Sequence, residues 1–96
     1  MSESNAPLIR RVVHYGGDVQ GVGFRYTTNT LAARFHVTGY VKNLGDGRVE
    51  LVIEGAAAEL DRLQEAIADR MAGYIGHTEV QEAPATGEFN GFRVAF

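Results

Sequence analysis

The stretch LIRRVVHYGGDVQGVGFRYTTNTLAARFHVTGYVKNLGDGRVELVIE, residues 8–54, switches between strand-like and helix-like hydrophobic spacing. Leu8 to Tyr15 is β-branched and aromatic, which predicts a strand ending at Gly16-Gly17. Phe24, Thr28, Leu31, Ala32 and Phe35 then recur at intervals of three and four, predicting an amphipathic helix from Phe24 to Phe35. Val37 to Leu44 and Arg48 to Glu54 read as strands, and Gly45-Asp46-Gly47 between them supplies the positive φ angles of a tight hairpin. Val49, Leu51 and Ile53 alternate with Arg48, Glu50 and Glu54, so one face is expected in the core and the other in solvent. Val37, Gly39, Val41 and Asn43 share a parity, which puts Asn43 at the end of its strand beside the hairpin.

Further along, Leu60, Leu63, Ile67 and Met71 trace a helical stripe over Ala56 to Met71, with Glu59, Asp61, Arg62, Glu65 and Asp69 around the rest. Gly73 and Gly76 end that helix. His77 to Glu82 predicts a fourth strand, and Phe92, Val94 and Phe96 alternate with Arg93 and Ala95 in a short terminal one. Residues 1–7 read as a flexible polar lead, and residues 8–96 as a single domain. The order β-α-β-β-α-β plus a terminal strand predicts an α+β, ferredoxin-like split βαβ sandwich with two helices on one face of an antiparallel sheet.

At 96 residues, with 45% hydrophobic and 22% charged side chains, the chain has room for one ordinary globular core. A formal charge of -3 argues against holding nucleic acid as its main task. The charge is uneven. Residues 1–48 carry six basic and three acidic side chains and residues 49–96 three and nine, so a bound anion is expected in the first half. The absence of cysteine excludes disulfides, thiolate zinc sites and cysteine nucleophiles. His14, His36 and His77 are too scattered for metal-ligand spacing. MSESNAPLIR lacks the apolar centre of a signal peptide and no apolar run reaches membrane-spanning length, so a cytoplasmic protein without membrane partners is expected.

Fold alone assigns no function, so the decision rests on the segment Gly16-Gly17-Asp18-Val19-Gln20-Gly21-Val22-Gly23-Phe24-Arg25 between the first strand and the first helix. A plain connector needs fewer glycines than this. Curled backbone N–H groups form a concave nest, and the following helix adds its own free N–H groups and positive dipole end, which suits a phosphate. Two other phosphate loops fail here: the Walker pattern needs Lys where Val22 stands, and the dinucleotide pattern needs Gly at Tyr26. Spacing alone leaves two readings open, a phosphate nest gripped by Arg25 or a tight turn followed by a solvated arginine. A cation in the first helical turn opposes the dipole by up to about 1 kcal/mol, and a guest anion would explain its placement.

Gly17-x-Val19-Gln20-Gly21-Val22-x-Phe24-Arg25, followed by Gly39-Tyr40-Val41-Lys42-Asn43 and Asp46-Gly47-x-Val49-Glu50, resembles acylphosphatase from about Val12 to Gly55, and more loosely to Phe96. The resemblance implies a small ferredoxin-like enzyme, an acylphosphate phosphohydrolase, that cleaves acyl phosphates without metal, cofactor or covalent intermediate. It also implies that Arg25 and the backbone of Val19, Gln20, Gly21, Val22, Gly23 and Phe24 grip the phosphate, and that Asn43 orients the attacking water. The expected partner is then a small-molecule acyl phosphate, bound by a monomer. Three positions depart from the family pattern: Asp18 brings a carboxylate to the loop, Tyr40 replaces a tryptophan, and His36 stands where glycine is common, which predicts a left-handed backbone there at some cost.

Other features carry rival readings. Thr27, Thr28, Asn29 and Thr30 read as packing or solvated residues, with one hydroxyl available to support Asn43 or the water. Tyr15, Tyr40, Phe89, Phe92 and Phe96 lack the basic flanks of an RNA-stacking sheet and read as core and edge packing. The alternatives to an enzyme are a non-catalytic phosphate- or anion-binding regulatory module and an interaction domain with an exposed sheet edge.

Overall fold

The computed structural model describes residues 7–96; the first six residues of the expected polar lead lie outside it. The elements run β1 (Leu8–Gly17), α1 (Phe24–Ala32), β2 (Thr38–Asn43), β3 (Val49–Ala56), α2 (Ala57–Arg70), β4 (Ile75–Pro84) and β5 (Phe92–Ala95). They form one sheet in the order β4-β1-β3-β2-β5, the ferredoxin-like split βαβ arrangement the pattern predicts. The sheet is mixed rather than antiparallel. β5 lies parallel to β2, pairing Gly39 with Phe92 and Val41 with Val94. The other pairings are antiparallel: β2 and β3 form a hairpin, and each split βαβ unit takes an antiparallel strand between its two parallel ones.

Strand parity decides what lies under the helices. Register sets Val13 opposite Leu51 and Tyr15 opposite Val49 across β1 and β3, and Val41 opposite Leu51 and Asn43 opposite Val49 across β2 and β3. The face they share packs against Phe24 and Leu31 of α1 and Leu60, Leu63 and Ile67 of α2 in one core. Asn43 is therefore on the helix side of the sheet, at the hairpin end of β2. Gly39 allows β2 and β3 to close up: its φ is 139°, and a Cβ there would lie 1.8 Å from the Val52 carbonyl oxygen.

The opposite face is not open to solvent as alternation implies. Val52 and Glu54 are each only 4% exposed, and the segment between β4 and β5 folds across Glu54. Glu54 accepts hydrogen bonds from the Thr86 and Gly87 N–H groups at 3.0 and 2.9 Å and from Arg10 Nε at 2.7 Å. Burial pushes its carboxyl pKa upward, but these donors outweigh it and hold the value down at about 2. The Arg10 guanidinium also sits over the Phe89 ring, which meets Tyr40 edge-on at 5.9 Å.

Helix α1 stops at Ala32, short of Phe35. Arg34 and Phe35 donate to the carbonyls of Leu31 and Ala32, a tightening into three-residue turns that ends the α-helix. No residue but glycine has positive φ among the described residues, so His36 does not take the left-handed conformation expected of it. Its N–H donates instead to Glu59 Oε1 at 2.8 Å, and that carboxylate at the start of α2 steers the chain. Strands β1 and β4 are longer than the pattern predicts, because they pair along their whole lengths with a bulge at Gly16/Gly17. Among the described residues no helix is long and apolar enough to cross a membrane.

Candidate active site

The glycine-rich segment is held from beneath by apolar side chains. Val19 is fully buried and Phe24 is 2% exposed, with the Phe24 ring 5.0 Å from that of Tyr15. Between these anchors Gly21 and Gly23 have φ of 80° and 78°, with open space where a Cβ would stand. Their need for glycine is conformational. The left-handed turn raises the backbone between Val19 and Phe24 into an arch, and Asp18, its carboxylate carrier, is exposed.

Gly23 is the N-cap of α1, without a side-chain cap and with no acidic residue in the first turn. The first helical N–H groups have no partner within the helix, and the positive end of its dipole faces the arch uncompensated. Against this field stands Arg25, half-buried in the first turn. Its Nη1 donates to the Ala95 carbonyl at 3.2 Å, and its guanidinium carbon lies 4.7 Å from the centroid of the Phe96 ring. A contact spanning the chain from α1 to the end of β5 thus fixes the guanidinium and leaves donors on its other edge.

Val19, Gly21, Gly23, Phe24, Arg25, Tyr26 and Asn43 together line a cavity of about 210 Å³. Loop, helix start and strand end converge there, although Asn43 is separated from Arg25 by a helix and a turn. The volume is well above the roughly 15 Å³ that admits one water, so a tetrahedral anion fits. The side chains of Gln20 and Val22, residues expected to contribute backbone N–H groups to the cradle, do not line the cavity: Val22 is 36% exposed, and the Gln20 amide bonds to the hairpin.

Gln20 Nε2 donates to the carbonyls of Leu44 and Arg48 at 2.8 and 2.9 Å. Those residues flank the β2–β3 turn, immediately after Asn43. One side-chain amide therefore ties the arch to the hairpin and fixes the cavity's two walls relative to each other. The resemblance implies only a backbone role for Gln20, and its single amide side chain among glycines is the available signal for more. The support of Arg25 by Ala95 and Phe96 carries no local signal at all.

Of the threonines beyond Arg25, none is seen to reach Asn43. Thr30 Oγ1 donates to the Tyr26 carbonyl, and the fully buried Thr28 hydroxyl has no hydrogen-bond partner among the described residues.

The acylphosphatase family model matches residues 11–94. The chain is 41% identical over 95 residues to an acylphosphatase of Paenarthrobacter aurescens, covering 98% of each. It is 42% identical over 91 residues to one of Syntrophus aciditrophicus, covering 93% of this chain and 95% of that relative. The crystal structure of acylphosphatase from Bacillus subtilis shares the fold with a TM-score of 0.80 at 31% identity, covering 93% of this chain and 99% of the other. With its loop, helix start and strand end converging as described and the match running through nearly all of its length, the chain belongs to the acylphosphatase family.

Proposed function

We propose that the protein hydrolyses acyl phosphates by direct attack of an oriented water on phosphorus. The backbone N–H groups of Val19 to Phe24 and the Arg25 guanidinium hold the phosphoryl oxygens, and the Asn43 side-chain amide holds the water. As the water oxygen bonds to phosphorus, the phosphorus–oxygen bond to the acyl group breaks. The carboxylate leaves with the bonding electrons, and the water's protons pass to the phosphate product and solvent. A carboxylate is a good leaving group, with a conjugate-acid pKa of about 4, so no general acid is needed. Positioning and stabilisation of charge on the phosphoryl oxygens then carry the rate.

The observation that carries this reading is the meeting of Arg25, Asn43 and the uncapped start of α1 in one cavity. The test is hydrolysis of acetyl phosphate by the purified protein and its Arg25→Ala and Asn43→Ala variants. By analogy with single oxyanion donors, each substitution lowers kcat about 10²- to 10³-fold while circular dichroism shows the fold retained. Full turnover in either variant overturns the mechanism. Phosphate binding without turnover in the wild type would show an anion-binding module instead.

A further inference from the structure

Large apolar side chains on a small soluble domain are usually exposed singly and without pattern. Here Val22, Tyr26 and Phe96, at 36%, 60% and 83% exposure, gather at one place. Val22 lies between Gly21 and Gly23, Tyr26 lines the same cavity, and Phe96 covers Arg25, which lines it too. The three come from the arch, the first turn of α1 and the residue after β5, so chain proximity does not account for all of the grouping. None belongs to the hydrophobic core or packs against it. A phosphate group is hydrated and charged and has no use for an apolar rim, so the rim addresses whatever is attached to the phosphate.

We propose that Val22, Tyr26 and Phe96 form an acyl subsite that selects substrates with an apolar, above all aromatic, acyl group. The inference rests on the acyl phosphate reading above and adds a preference to it. With the phosphoryl group in the cavity, the acyl carbon chain emerges at the rim, where ring faces and the Val22 methyls can cover it. The rim is open and covers one side of the guest only, so the expected preference is about tenfold, near the low end of what hydrophobic pockets achieve.

The experiment compares kcat/KM for acetyl, butyryl and benzoyl phosphate, whose leaving-group acidities are close, in the wild type, in Tyr26→Ser and in Val22→Ser/Tyr26→Ser. The wild type should favour benzoyl over acetyl phosphate about tenfold, with butyryl between and most of the difference in KM. Tyr26→Ser should cut that ratio to about threefold, and the double variant should nearly abolish it. Inhibition by inorganic phosphate, which has no acyl group, should persist in Tyr26→Ser. Equal kcat/KM for the three substrates in the wild type overturns the subsite, as does a preference that both variants retain. Absence of hydrolysis with all three overturns the acyl phosphate reading itself.

Discussion

Replacing Gln20 by leucine keeps the side-chain volume and removes both hydrogen bonds that join the arch to the β2–β3 hairpin. The two carbonyls are not orphaned. Arg48 O still accepts from the Leu44 N–H at 2.8 Å, and Leu44 O from the Gly47 N–H at 3.3 Å. The loss is therefore near the ordinary net value of about 1 kcal/mol per hydrogen bond, or about 2 kcal/mol together. For a domain of this size that lowers Tm by about 10 °C. Asn43 directly precedes the tethered hairpin, and slack of about 1 Å between it and the arch is enough to lower kcat by up to about 10²-fold. Thermal unfolding followed by circular dichroism reads the first effect, and acetyl phosphate turnover the second. Gln20→Glu sharpens the test, since a carboxylate of the same shape faces two carbonyl oxygens with nothing to donate, and should be worse than leucine at neutral pH. A Tm within about 2 °C of wild type together with unchanged kcat would show that arch and hairpin hold their places without the amide.

Three further outcomes follow from the fold. Because Glu54 titrates at about 2 when folded against an ordinary 4.5, its contribution to stability is present above pH 4.5 and is lost as pH falls toward 2; urea midpoints of wild type and Glu54→Gln should converge across that window. Thr28→Val replaces a buried hydroxyl without a partner among the described residues by a methyl group of similar size, and should raise stability by about 1 kcal/mol in urea unfolding, whereas a loss would reveal an interaction for that hydroxyl. Gly39→Ala forces a Cβ into the Val52 carbonyl at a φ of 139°, and should prevent recovery of folded protein or cost more than about 3 kcal/mol.

Element order was legible because the hydrophobic period changes sharply at Gly16-Gly17, at Val37 and at Ala56, and the parity of Gly39, Val41 and Asn43 sufficed to place Asn43 at the end of β2 beside the hairpin. What eluded the pattern is non-local. Glu54 alternates like a solvated residue and is buried only because a segment some thirty positions later crosses it, and no local spacing carries that information. His36 stands where the resemblance implies glycine and a left-handed backbone, yet no residue but glycine has positive φ among the described residues, and the His36 N–H is taken up by Glu59 of α2. The parallel placement of β5 likewise follows from which edge is free, a property of the assembled sheet. At the site, the arch and Arg25 announce themselves as a contiguous string, while the hold of Gln20 on the hairpin and of β5 on Arg25 belongs to distances of 24 and 70 positions.

The Arg25–Ala95 contact has a kinetic corollary. Loops that wide close late, because their entropy is recovered only when the intervening elements are already in place. A chain that has assembled every element from β1 to β4 would present nearly all of its helical and sheet signal, yet its guanidinium would still swing freely until the four-residue β5 slides in beside β2. Turnover therefore ripens after secondary structure, and a stopped-flow refolding experiment should see the spectroscopic signal level off before the catalytic one begins to rise.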